Sequence, residues 1–176
     1  MKILVPLING FEEIEAITTI DILRRAGIEV VTAGLAGTMI KGGQGVQVMV
    51  DKRLDDVAKD SLDGIVLPGG PGFEGLGRSE KIIDIISYLE NRGKLVAAIC
   101  AAPSILAKMG LLENRAATIY PGMEKVLPKP RNGKVVIDKN IITSPGPGTA
   151  IDFALKIVEH LKGSQAVEKL RRNLVW

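Results

Sequence analysis

Cys100 is the only cysteine in the chain, and it follows the apolar run Leu95 to Ile99, flanked by Ala98, Ala101 and Ala102. Side chains this small permit a sharp turn from strand into helix. That is the layout of a nucleophile elbow, although the Gly-x-Ser-x-Gly letters are absent. A thiol at a helix N-terminus meets the positive end of the dipole and free backbone N–H groups. Its pKa is therefore expected to fall, with the cysteine held at positive φ. A buried, inert cysteine filling a small gap would carry the same letters.

Glu12, Glu13 and Glu15 crowd the start of a helix that follows Asn9-Gly10. Asn9 as N-cap with Glu12 at the N3 position makes a capping box, and acids favour a helix N-terminus whatever the protein does. In a parallel α/β sheet, however, the loops after strands open on one carboxyl edge, where ligands bind. That edge would place this helix start beside Cys100, where a carboxylic acid could hold and orient a thiolate.

Gly70-Pro71-Gly72-Phe73-Glu74-Gly75 matches Gly-x-Gly-x-x-Gly after an apolar strand. Pro71 removes a donor that a pyrophosphate would need, so the loop reads better as a source of backbone amides for an oxyanion. The single histidine, His160, falls late in the last long helical stretch, which suits a surface position near a negative helix end. Hydrolysis of the papain or glutamine-amidotransferase kind, which needs a histidine base, is disfavoured.

These residues need a framework to bring them together. The chain has 176 residues, 46% of them hydrophobic, with a formal net charge of +3, enough for one domain, residues 1–176, with a substantial core. Aromatic residues make up only 3% and Lys and Arg are dispersed, so the basic pI does not argue for a specific nucleic-acid partner. The longest apolar run, Leu95 to Ala102, is too short for a membrane span, and the N-terminal stretch lacks the pattern of an export signal. An unprocessed cytoplasmic protein is expected. One cysteine excludes an internal disulfide and any Cys-rich metal site.

Lys2 to Leu7 reads as a strand, Phe11 to Ala26 as a helix stopped by Gly27, and Glu29 to Ala33 as a second strand. Such βαβ units build parallel sheets covered by helices. Leu35 to Val50 looks like a hairpin excursion. Gly64 to Leu67 is a strand, Ser79 to Arg92 an amphipathic helix, and Leu95 to Ile99, the most apolar strand, is expected at the centre. A helix from Ala102 to Met109, strands at Thr118 to Tyr120, Val135 to Ile137 and Ile141 to Thr143, and helices at Thr149 to Leu161 and Gln165 to Arg172 complete the pattern.

Gly10-Phe11-Glu12-Glu13-Ile14-Glu15, Arg24-Arg25-Ala26-Gly27, Leu67-Pro68-Gly69-Gly70, Ala98-Ile99-Cys100-Ala101-Ala102-Pro103 and Gly146-Pro147-Gly148-Thr149 run in order through nearly the whole chain. Together they resemble the DJ-1/ThiJ/PfpI superfamily, and most of all its Parkinson-disease-protein branch. The resemblance implies a flavodoxin-like three-layer α/β sandwich, usually homodimeric. It also implies that Cys100 is the nucleophilic and oxidisable cysteine, that Glu15 is a protonated carboxyl bonded to its sulfur, and that the Gly70 and Ala101 amides form an oxyanion pocket. Two positions depart from the family pattern. Ala101 stands where the intracellular-protease branch has histidine, and Tyr120, before Pro121, stands where the Parkinson-disease-protein branch often has one. A phenol is a far weaker base, though it can donate a hydrogen bond, which leaves Tyr120 a possible auxiliary residue.

The resemblance implies one of two activities, both without metal or cofactor. One is a glyoxalase or deglycase acting on methylglyoxal or early glycation adducts through Cys100 and Glu15. The other is a redox sensor or chaperone-like protein working through oxidation of Cys100. Neither the thiazole-biosynthesis nor the protease label of the superfamily is required by these residues. A homodimer is expected through the apolar helix Ile14 to Ile22.

Overall fold

The computed structural model describes residues 1–176. β1 (Lys2–Leu7), α1 (Glu13–Arg25) and β2 (Glu29–Gly34) open the chain, and Gly27, at φ +70, ends the first helix. An excursion follows, made of β3 (Met39–Lys41) and β4 (Gln47–Met49) paired antiparallel, before the short β5 (Lys52–Arg53) returns to the main sheet. Next come β6 (Gly64–Leu67), α2 (Phe73–Arg78), α3 (Glu80–Glu90), β7 (Leu95–Ile99) and α4 (Pro103–Lys108). The chain finishes with β8 (Val136–Asp138), β9 (Ile141–Ser144), α5 (Ala150–Lys162) and α6 (Ser164–Leu174). No helix is long and apolar enough to cross a membrane.

The seven strands of the sheet lie in the order β5-β2-β1-β6-β7-β9-β8, parallel throughout except where β8 runs against β9. Alternate side chains of each strand enter opposite layers. Ile3, Val5 and Leu7 pack with Ile20, Leu23, Phe153 and Ile157 under α1 and α5, whereas Leu4, Ile65, Leu67, Val96 and Ala98 pack with Ile82, Ile85, Ile86 and Leu89 of α3. Each large aliphatic side chain so buried contributes about 1.5–3 kcal/mol. α3 starts where Ser79 Oγ accepts from the Ile82 N–H at 3.4 Å, and its buried residues recur at helical spacing.

Four details differ from the sequence reading. Leu95–Ile99 is interior and fully buried but lies one place from the middle strand, which is β6. Thr118 to Tyr120 is not a strand: the Thr118 N–H donates to the Thr143 hydroxyl at 2.9 Å, so a side chain replaces the ladder partner, and only Ala117 forms an isolated bridge, to Pro130. Asn9 and Glu12 form no capping box. Glu12 itself occupies the N-cap, and Asn9 Oδ1 accepts from the Lys41 N–H at 3.0 Å, tying β3 to the start of α1. α2 is an addition, in a Gly-interrupted segment whose sequence shows no helical period.

Candidate active site

Cys100 sits at the carboxyl end of β7 with φ +65, a left-handed conformation that costs a non-glycine residue about 1–2 kcal/mol. Hydrogen bonds on both sides of the residue hold it there. Its N–H donates to Ser144 O at 2.9 Å, and its carbonyl accepts from the Tyr120 N–H at 2.8 Å. The expected elbow is present. Positive φ swings the side chain out of the strand direction and back over the loop after β6.

That loop is interlocked with the start of α1. The Glu12 N–H donates to Gly69 O at 3.0 Å and the Gly72 N–H to Gly10 O at 2.9 Å. Gly70 takes φ +95, and a Cβ there would lie 2.4 Å from both Glu12 N and Gly10 O. A Cβ on Gly69 would lie 2.6 Å from Cys100 Cβ and 3.0 Å from both Cys100 Sγ and Glu15 Oε2. Only glycine lets the thiol and the carboxyl converge over this peptide. The roles of Gly69 and Ser144 escaped the sequence reading, although the run Pro68-Gly69-Gly70 signals a backbone that something approaches closely.

Glu15 is 1% exposed. Its Oε2 accepts from the Gly69 N–H at 2.7 Å, while Oε1 has no hydrogen-bond partner. Burial pushes its carboxyl up to about 7, reinforced by the nearby Glu12 charge and opposed by the bonds from Gly69 and Cys100. Burial likewise pushes the Cys100 thiol up to about 12, with the charge of Glu15 and its hydrogen bond adding to the effect. This reverses the expectation of a lowered thiol pKa. The Ala101 and Gly70 N–H groups favour the thiolate, but desolvation and the facing carboxylate outweigh them. The two groups share one proton over the range between their two ionisations. In the tautomer where Glu15 holds it, the thiolate faces a carboxylic acid that can donate to it.

The other expected residues fall as follows. Ala101 follows Cys100 directly, and its amide and that of Gly70 lie close enough to favour the thiolate. Tyr120 is exposed, bonded to Cys100 through its backbone alone. His160 is exposed ten residues along α5, about 15 Å from that helix's start. The Gly-rich loop has no row of free amides for a pyrophosphate: those of Gly69, Gly72 and Phe73 serve Glu15, Gly10 O and Gly70 O, which leaves the Gly70 amide beside the sulfur. Glu13, read as a helix-end acid, has another use. Its Oε1 accepts from the Gln44 N–H at 2.7 Å and the Val46 N–H at 3.3 Å, clamping the β3–β4 hairpin to α1, and these bonds hold its pKa below the ordinary range against the effect of burial.

Fold and site define a flavodoxin-like α/β protein with a strained cysteine elbow and a buried acid against the sulfur. The DJ-1/PfpI family profile matches residues 1–160, and the chain belongs to that family. Protein dj-1beta of Drosophila melanogaster is 44% identical over 98% of this chain and 95% of its own length, and its crystal structure superposes with a TM-score of 0.94 over 99% of this chain and 97% of that one. The Caenorhabditis elegans protein named glutathione-independent glyoxalase DJR-1.2 is 38% identical over 93% of this chain and 89% of its own. A structure of oxidized Toxoplasma gondii DJ-1 is 37% identical with a TM-score of 0.96, covering 99% of this chain and 98% of that one.

Proposed function

We propose that this protein is a cysteine-dependent glyoxalase-type enzyme acting on methylglyoxal or on the aldehyde-derived adducts of early glycation. The observation that carries the reading is the convergence of Cys100 Sγ, the Glu15 carboxyl and two backbone amides on one peptide, Gly69. The thiolate adds to the aldehyde carbon, forming a C–S bond as the carbonyl electron pair moves onto oxygen. The Gly70 and Ala101 amides steady that oxyanion, and a proton from Glu15 gives the hemithioacetal. Glu15, now a carboxylate, takes the proton from the former aldehyde carbon and returns it to the neighbouring carbon. As the hydroxyl proton passes from the first oxygen to the second, this oxidises the first carbon to a thioester and reduces the second to an alcohol. Water then hydrolyses the thioester to a hydroxy acid and restores the thiol, so no external oxidant or reductant enters. The name of the worm relative supports the same substrate class.

One domain carries the whole site, and we place the protein in the cytoplasm as a homodimer. The test is a steady-state assay with methylglyoxal, free of glutathione and added metal. The parent should convert it, Cys100→Ser should abolish conversion, and Glu15→Gln should lower it by about a hundredfold or more. Retention of activity by Cys100→Ser would overturn the reading. A second reading, oxidation of Cys100 by peroxide to a sulfenic or sulfinic acid, draws on the same amides and on the oxidized form recorded for the Toxoplasma relative. It becomes the primary one if peroxide modifies Cys100 stoichiometrically and no aldehyde is consumed.

A further inference from the structure

We propose that the cleft between α2, α3 and α4 binds small monocarboxylates with an apolar body the size of an aromatic ring, at a site separate from Cys100. The approach of α2 to α4 depends on Gly77. A Cβ there would lie 3.1 Å from Ile105 Cγ1, so glycine lets the two helices settle together and keeps a side chain out of the space beside them. The cleft holds about 270 Å³, and its lining shares no residue with Cys100, Glu15, Gly69, Gly70 or Ala101. A cavity of about 150 Å³ suffices for a benzene ring, and the remainder leaves room for a short acidic side chain.

The floor is apolar. Ile105 is buried, and Phe73, Ile83 and Met109 stand half-buried on the core layer that α3 covers. Three charged side chains complete the lining: Glu74, Arg78 and Lys108. Glu74 and Arg78, one helical turn apart on α2, pair at 2.5 Å, so their charges compensate. Lys108 belongs to no ion pair. Nor do the carbonyls at the end of α4 claim it, because those of Ile105, Leu106 and Ala107 accept from the Met109, Leu111 and Gly110 amides. An apolar floor with one uncompensated cation complements a ligand that has an apolar body and a single negative charge. The flexible stem of Lys108 lets its ammonium reach a carboxylate whose ring lies on Ile105 and Phe73. Lactate, with only a methyl group for a body, would leave the floor bare.

In the experiment phenylacetate is titrated into isotope-labelled protein and the backbone amide shifts are followed by NMR, with benzyl alcohol, benzylamine and lactate as controls. Saturable shifts should gather at Gly77, Ile83, Ile105 and Met109, with a Kd on the order of 1 mM for so small a ligand. Benzylamine should not bind. Lys108→Gln should weaken phenylacetate about tenfold, Lys108→Arg should restore it, and Cys100→Ser should bind as the parent does. Unchanged β1 and β2 amide shifts in the Lys108 variants establish that the fold is kept. Shifts that gather around Cys100 and vanish in Cys100→Ser overturn the site, as does a Kd unmoved by Lys108→Gln. Equal binding of benzyl alcohol overturns the carboxylate class, and equal binding of lactate overturns the need for an apolar body.

Discussion

Cys100 and Glu15 behave as one titrating unit, and its proton inventory is open to measurement. Alkylation of the parent by iodoacetamide should rise in two steps, slightly near pH 7, where the pair loses its first proton mainly from Glu15 and a minor thiolate tautomer appears, and fully only toward the second ionisation. Glu15→Gln should remove the first step and leave a single thiol ionisation below the parent's second one, because the facing negative charge is gone. Stability carries the same signature. Glu15 has its folded pKa raised from 4.5 to about 7, so the folded state holds the proton more tightly than the unfolded chain does. Its favourable contribution is complete below the unfolded value and is lost as pH rises through about 7, a change of about 3 kcal/mol at most. Urea unfolding of parent and Glu15→Gln between pH 5 and 8 should show the parent alone losing stability in that window. The acids held below their ordinary values, Glu13, Asp51 and Asp63, cancel in the difference.

The elements explain why the cysteine was legible and its pKa was not. An apolar run ending in Cys100 between alanines, followed by a helix, shows in the letters as an elbow, because local sterics decide it. Whether the thiol is stabilised or opposed depends on what the loop after β6 and the start of α1 bring to it, and those contacts span 85 residues from Glu15 to Cys100. Spacing along the chain does not encode them. The same limit explains Asn9 and Glu13: both read as helix-start residues, yet both spend their side chains on the β3–β4 excursion. Glu13→Ala should free the Gln44 and Val46 amides, and hydrogen exchange at these two positions should accelerate while β1 and β6 remain protected. Gly69→Ala should do the reverse: the hairpin stays, but the new methyl meets Cys100 Cβ. A stability loss of about 1–3 kcal/mol in urea titration is expected, together with loss of methylglyoxal conversion.

The order of strands and helices followed closely from hydrophobic periodicity, because a parallel sheet covered on both faces demands continuous apolar strands and amphipathic helices. The strand expected at Thr118 to Tyr120 failed because a threonine hydroxyl can imitate a backbone acceptor, a substitution that β propensity does not reveal. On the outer surface, Ile14 and Ile17, one helical turn apart on α1, are 55% and 40% exposed, an apolar strip beside the Glu13 clamp. Sedimentation at micromolar concentration should return a dimer, and Ile14→Glu should shift it to a monomer. The interlock of Gly10, Gly69 to Gly72, Cys100, Tyr120 and Ser144 has a kinetic consequence as well. Segments so distant along the chain meet only after the long crossovers have closed, and non-local pairings of this kind are slow to form. Until then Cys100 is an ordinary solvated thiol. Pulsed alkylation during refolding should therefore label Cys100 with the pH response of a free cysteine at early times and with that of the paired site only at the end, making the residue a clock for the last stage of folding.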